Sequence, residues 1–316
     1  MSPKGTVLRE GTRTWMTDRI MKTESEPEPA SPSGSASAKA ELERHGLRAK
    51  RTLGQNFLTD RGLCERIAAL VAPTGQGVLE IGAGLGALTA PLLARGSEVL
   101  AIETDRSLSA VLREKFASEL AHGKLRLLEA DAREVDLGEC LNTLAPPRTL
   151  AGNLPYQLSG LLLRRAVDLA GACQRLVFLL QLEVVDRMCA APDTAAYGAL
   201  SVFVQSAYRP RRELVVRRGA FYPQPGVDSA VVLLEPLAAT VSPPSAEFSL
   251  VVRSAFEKRR KTLRNAWRSG LGLPTERLEQ LAAVAGIDLN ARGETLSVDA
   301  FARMAAVLQA ERAEAR

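Results

Sequence analysis

Residues 151–160 read AGNLPYQLSG. Asn and Pro are turn formers, yet this turn also carries an aromatic ring. Asn153, Leu154, Pro155 and Tyr156 in a row could do one particular piece of chemistry. The exocyclic amine of a nucleobase is a poor nucleophile, because its lone pair is delocalised into the ring. Two acceptors placed beside its N–H groups would draw that lone pair outward. The Asn153 side-chain oxygen and the Leu154 backbone carbonyl are suitable acceptors. Pro155 stiffens the turn, so that both are held in advance. Tyr156 offers a face on which an extruded base could stack. No general base is needed, so an Asn rather than an acid or a His can sit at the centre. The plainer alternative is a tight connection between two buried segments.

A second group of residues could hold a nucleotide-like cofactor. Gly82-Ala83-Gly84-Leu85-Gly86-Ala87 follows an apolar run and opens a helical pattern, and the next apolar run ends in Glu103. Glycines let a backbone turn tightly against a ligand, and an acid at that distance takes ribose hydroxyls. On spacing alone, NAD and S-adenosylmethionine compete evenly for such a loop. Asp131 closes the following run, in LEADA. Acids ending neighbouring strands would lie side by side over the glycine loop, one near ribose and one near adenine. Asp131 taken by itself also fits a helix N-cap. Together, Asp131 and the 151–160 stretch favour S-adenosylmethionine.

These groups need a frame that brings strand ends together. The stretch 77–93 reads as an apolar strand, a glycine turn and a helix, and strand patterns at 98–105, 124–132, 148–156 and 175–181 alternate with helical ones. That alternation predicts βαβ units and a mostly parallel sheet. RRELVVRRG and SAVVLLEPL add two later strands with no long helix between them, which could pair antiparallel at one edge. A Pro- and Ser-rich break at 239–248 follows, and beyond it only helical periodicity remains. The expected fold is α/β, a Rossmann-like sheet with a small C-terminal helical domain. Its divisions are a disordered, Pro-, Ser- and Glu-rich tail at 1–45, a cofactor-binding domain at 46–240 and a helical domain at 241–316.

The chain has 316 residues, 46% hydrophobic, with a formal net charge of +5. No uncharged run exceeds fifteen residues, too short for a spanning helix, so no membrane role is expected. Four cysteines and two histidines are scattered without metal-ligand spacing, and no metal is expected. Scattered thiols fit a cytoplasmic protein. Aromatics are only 4% of residues, which gives Tyr156 added weight.

The motifs resemble, in order, those of the ribosomal RNA adenine N6-dimethyltransferases. LGQNFLTD (53–60), LEIGAGLGALT (79–89), NLPY (153–156), FYPQPGVDSAVV (221–232) and EKRRKTLRN (257–265) carry the resemblance, which spans about residues 46–310. It is strongest for the bacterial small-subunit branch. The resemblance implies a seven-stranded sheet with one antiparallel strand. It implies dimethylation of the N6 amines of two adjacent adenines near the 3′ end of 16S (small-subunit) rRNA. S-adenosyl-L-methionine would be the donor and S-adenosyl-L-homocysteine the product. It further implies that Asn56, Leu58, Gly82, Gly84, Glu103, Asp131 and Asn153 contact the cofactor. Phe221 would pack against the target base opposite Tyr156. The partner implied is small-subunit rRNA within an immature 30S particle, met by a monomer. Two departures stand out: Leu53 where the family commonly has Phe, and Gln157-Leu158-Ser159-Gly160 after the NLPY box.

Three basic runs flank these motifs. Arg259, Arg260, Lys261 and Arg264 form one, Arg211 and Arg212 belong to another, and Arg48, Lys50 and Arg51 to the third. One such run alone reads as a solvated face. Three around one base pocket read as a track for phosphates, which would position RNA without reading its sequence. Competing expectations are a large-subunit, resistance-type enzyme, a non-catalytic RNA-binding relative and, last, a dehydrogenase. Gly54 and Leu154 favour the small-subunit type, and intact Glu103, Asp131 and Asn153 argue for catalysis.

Overall fold

Consecutive apolar residues along a strand point in turn to both faces of a sheet, and each face then needs a cover of helices. The computed structural model describes residues 34–155, 159–238, 240–241, 245–258 and 260–314. Its strands are β1 (Phe57–Leu58), β2 (Gly77–Ile81), β3 (Glu98–Glu103), β4 (Leu125–Glu129), β5 (Arg148–Asn153), β6 (Arg175–Gln181), β7 (Tyr208–Val216), β8 (Phe221–Tyr222) and β9 (Ser229–Pro236). Seven of them form one sheet in the order β4-β3-β2-β5-β6-β9-β7. β2 to β6 run parallel, and β9 is antiparallel to both of its neighbours, β6 and β7. The expected α/β class and the antiparallel pairing of the last two long strands are both present.

The chain order reverses between β2 and β5, which lie side by side. In open α/β sheets that reversal opens a crevice at the carboxyl ends of the strands. Register places Ile81, the last residue of β2, beside Gly152 of β5. The glycine loop and Asn153 therefore emerge next to one another.

Before and between the strands run α1 (Gly34–Arg44), α2 (Arg61–Val71), α3 (Thr89–Ala94), α4 (Arg106–Lys115), α5 (Ala117–Ala121), α6 (Leu137–Asn142), α7 (Ser159–Asp168), α8 (Leu182–Cys189) and α9 (Ala199–Gln205). Val78, Val99, Ala151 and Val177 on one sheet face pack with Ile67, Ala68 and Val71 of α2 and Leu92 of α3. Leu79, Ile102, Leu150 and Phe178 on the other pack with Leu137 and Leu141 of α6 and Leu162 and Leu163 of α7. Each large apolar side chain among them contributes roughly 1.5–3 kcal/mol when fully buried.

Four helices close the chain: α10 (Ala246–Glu257), α11 (Leu263–Leu271), α12 (Thr275–Ala285) and α13 (Val298–Glu314). Trp267 lies in their shared core, its indole N–H donating to the Val251 carbonyl at 2.9 Å. It belongs to the core of these helices. The same core takes in Tyr197 and Val202 from before the break at 239–248. The described residues of Ser33–Arg316 accordingly form one compact unit.

The expectation of disorder across 1–45 is corrected at its end. Residues 34–44 are helical, and Ala38 and Leu42, four residues apart on one face, are buried with Phe57, Leu85, Leu108 and Val111. Lys115 Nζ reaches Glu41 of this helix at 2.8 Å. Residues 1–33 lie outside the described residues.

Candidate active site

Gly82, Gly84 and Gly86 have φ of +74°, +59° and +78°, the left-handed region that a side chain resists. At Gly86 a Cβ would also stand 2.5 Å from the Phe116 ring, so only glycine lets the loop fold onto the end of α4. The loop is held from below by Glu103. Its Oε2 accepts the Gly84 N–H at 2.8 Å and its Oε1 accepts the Asp105 N–H at 2.9 Å. Burial pushes the Glu103 carboxyl above its usual range, against the opposing pull of these two backbone donors. Each carboxylate oxygen has two lone pairs. Glu103 can thus still accept hydroxyl donors while it shapes the loop.

Asp131 follows β4, whose neighbour in the sheet is β3. Arg133 holds it by two guanidinium nitrogens and by its backbone N–H, the last at 2.9 Å. Those bonds keep the Asp131 carboxyl below the ordinary range. Arg133 was not legible as a site residue, because nothing in a residue two places along marks it as a clamp.

Asn153 ends β5. Its Nδ2 donates to the backbone carbonyl of Asn56 at 2.8 Å. Leu154 N–H donates to Leu179 O at 3.2 Å, anchoring the turn to β6, and the Leu154 side chain is buried. Gly54, at φ +63°, lies against Pro155: a Cβ there would stand 3.2 Å from Pro155 Cβ. A cleft of about 180 Å³ joins these parts, lined by Asn56, Leu58, Gly82, Gly84, Glu103, Asp131, Asn153, Leu154 and Pro155 among others. The expected cofactor contacts and three of the four residues of the NLPY box thus meet at one crevice. Tyr156 lies outside the described residues.

Phe221 opens β8. It pairs with Leu58 in a two-stranded antiparallel sheet, β1 with β8. The residue is 3% exposed and belongs to the core cluster that holds Leu58 and Val216. Its place is to fix Leu58 at the cleft.

Two further acids were not anticipated. Glu80 is buried within β2, and Thr89 Oγ1 donates to it at 2.7 Å. Burial raises its carboxyl to about 7. Asp105 is buried at the start of α4, where it caps Ser107 N–H at 3.1 Å and accepts from Lys50 and Gln55.

The basic residues divide into paired and unpaired. Arg211 bridges Glu213 and Glu235 at 3.1 and 3.2 Å, Arg212 bridges Asp186, and Arg264 bridges Glu279. Arg260 and Lys261 are exposed, with no ion pair among the described residues. Arg259 lies outside the described residues. Also among the described residues, no cluster of three or more His, Cys, Asp or Glu could hold a metal ion, and no helix is long and apolar enough to cross a membrane.

Comparison with known proteins places this geometry. A family model described as ribosomal RNA adenine dimethylase matches residues 46–310. The ribosomal RNA small subunit methyltransferase A of Geobacter sulfurreducens is 44% identical over 264 residues, covering 82% of this chain and 95% of the relative. The protein of that name from Xanthomonas campestris is 42% identical, covering 82% and 96%. Among solved structures, a dimethyladenosine transferase from Plasmodium falciparum aligns with a TM-score of 0.65 at 22% identity, covering 78% of this chain and 95% of that one. The 23S rRNA methyltransferase ErmE aligns with a TM-score of 0.58 at 25% identity, covering 80% and 100%.

Proposed function

The chain belongs to the ribosomal RNA adenine dimethylase family, and from that membership we propose which RNA it modifies and which residues do the work. It is a methyltransferase acting on adenine of ribosomal RNA. The substrate we assign is small-subunit rRNA, at the N6 amines of two adjacent adenines near its 3′ end. The small-subunit relatives at 42–44% identity support that assignment. The enzyme would act as a monomer, in the cytoplasm, on immature 30S particles.

The residues at the crevice fit S-adenosylmethionine. Glu103 is a buried carboxylate with acceptor capacity left over, and Gly82 and Gly84 leave backbone bare beside it. Asp131 would meet the adenine edge, and Asn56 and Leu58 would close the near side. When bound, this cofactor supplies an electrophilic methyl group.

One observation carries the assignment of Asn153. Its amide nitrogen donates to the Asn56 carbonyl at 2.8 Å, which orients the amide, so that Oδ1 would be the acceptor offered to the amine. Oδ1 and the Leu154 carbonyl would each take one N–H of the target amine in the first round, and one of them would take the remaining N–H in the second. Such acceptors, fixed before the base arrives, stabilise the arrangement in which the lone pair has left conjugation with the ring. Tyr156 would stack on the extruded adenine. Each round exchanges one N–H of the amine for N–CH₃, and the displaced proton passes to solvent. Arg260 and Lys261 would hold RNA phosphates.

The test is transfer of labelled methyl groups from S-adenosylmethionine to immature small subunits, followed by nucleoside analysis of the RNA. N6,N6-dimethyladenosine in small-subunit rRNA is the expected product. Label in large-subunit RNA alone would overturn the substrate assignment.

A further inference from the structure

We propose that Asp105 is a positioning residue for methyl transfer: by holding Lys50 and Gln55 it pins the segment 50–56, and so sets the Asn56 carbonyl that fixes the Asn153 amide. The inference rests on the function proposed above and adds a residue outside the cleft's own lining.

The Asp105 side chain is 3% exposed and has a donor on each oxygen. Lys50 Nζ donates to Oδ1 at 2.8 Å and Gln55 Nε2 to Oδ2 at 2.9 Å. A buried carboxylate without such partners would be costly, and removing one leaves the charge uncompensated. Burial alone would raise the Asp105 carboxyl, but the bonds from Lys50 and Gln55 outweigh it and hold the group below its ordinary range.

The segment so held is closed on itself. Gln55 Oε1 accepts the Lys50 N–H at 2.8 Å, and the Leu53 and Gly54 N–H groups return to Lys50 O and Arg51 O at 3.1 and 3.0 Å. Asn56 Nδ2 then donates to Gly54 O at 3.1 Å, and Asn56 O receives Asn153 Nδ2. At the other end, the Asp105 N–H donates to Glu103 at 2.9 Å. An unbroken run of polar contacts therefore joins the acid assigned to the ribose with the amide assigned to the target. Asp105 and Lys50 stand 55 residues apart in the chain, so this link exists only in the fold.

Lys50 has a second reading to be tested against this one. It sits between Arg48 and Arg51 in a basic run and is 48% exposed, as a phosphate contact would be. A phosphate contact acts on the salt dependence of RNA binding, whereas a positioning contact acts on the rate of transfer.

Lys50→Met and Gln55→Leu remove the clamp and spare the Asp105 cap on α4. Single-turnover methyl transfer to small subunits at saturating cofactor is expected to slow by about ten- to a hundredfold in each. Lys50→Arg is expected to recover most of the rate. The slope of RNA affinity against salt should not change in Lys50→Met, and the amides of residues 53–55 should exchange hydrogen faster. Unchanged rates beside an active wild type would overturn the proposal alone. So would a shallower salt slope with an unchanged rate, which would make Lys50 a phosphate contact. A wild type that transfers no methyl to this RNA would instead overturn the functional reading, and the role in transfer with it.

Discussion

Asn153 is held by Asn56 through a backbone carbonyl, 2.8 Å from its side-chain nitrogen, across 97 positions of chain. The hydrogen bond ties a turn at the end of β5 to the segment that precedes β1. Since the acceptor is backbone, its position depends on the path of residues 54–56, which the Asn56 side chain ties to Gly54 O at 3.1 Å.

Gly54→Ala should therefore disturb the site without touching a reacting group. Gly54 is left-handed, where a side chain costs about 1–2 kcal/mol. Its Cβ would also press on Pro155. A lower melting temperature and slower single-turnover transfer are expected, with cofactor affinity less affected. Unaltered transfer would mean that the segment does not set Asn153.

Glu103→Ala should weaken binding of S-adenosylhomocysteine by about 1.5–3 kcal/mol, the worth of hydrogen bonds to a charged acceptor. Calorimetry reads this directly. Circular dichroism should show the fold retained, and Glu103→Gln should lose less. Equal affinity in all three proteins would remove Glu103 from the ribose.

Glu80 makes stability depend on pH. Its carboxyl is raised to about 7 in the fold, from 4.5. The folded state thus keeps a proton that the unfolded chain has released. The stabilisation is fully present below about 4.5 and is lost as pH rises through about 7, at about 1.4 kcal/mol for each pH step of one between those values. Denaturant melts between about pH 5 and 8 should show wild type losing more stability than Glu80→Gln. Parallel pH profiles would show that Glu80 keeps its charge when buried.

Replacing Arg260 and Lys261 by Ala should lower RNA affinity and flatten its salt dependence, by at most roughly 0.9 for each phosphate that is no longer neutralised. Replacing Arg211 and Arg212, which are paired with Glu213, Glu235 and Asp186, should flatten it less. Filter binding across a salt series would rank the two pairs. An equal change from both would mean that the ion pairs open on RNA.

Much of this arrangement was legible in the sequence for physical reasons. Three glycines between a strand and a helix, and acids at successive strand ends, are local patterns whose geometry follows from the parallel sheet. The NLPY box could be placed because β5 follows the same alternation. What escaped depends on long-range packing. β1 and β8 have two residues each, too few for periodicity to reveal, yet they bury Phe221 and fix Leu58. Lys50 read as one charge of a basic run, and only the fold supplies Asp105 as its partner. Glu80 was hidden within an apolar strand, and Ala38 and Leu42 are too few to mark α1 within a polar stretch.

Whether Asn153 acts on the target amine is read by single-turnover transfer with Asn153→Ala on purified immature small subunits, beside RNA affinity measured for the same protein. Removing one such preorganised acceptor should slow transfer by about a hundred- to a thousandfold, with RNA affinity little changed. Transfer by Asn153→Ala at near the wild-type rate would make the turn at 153–156 a connection and no more, and would contradict the mechanism.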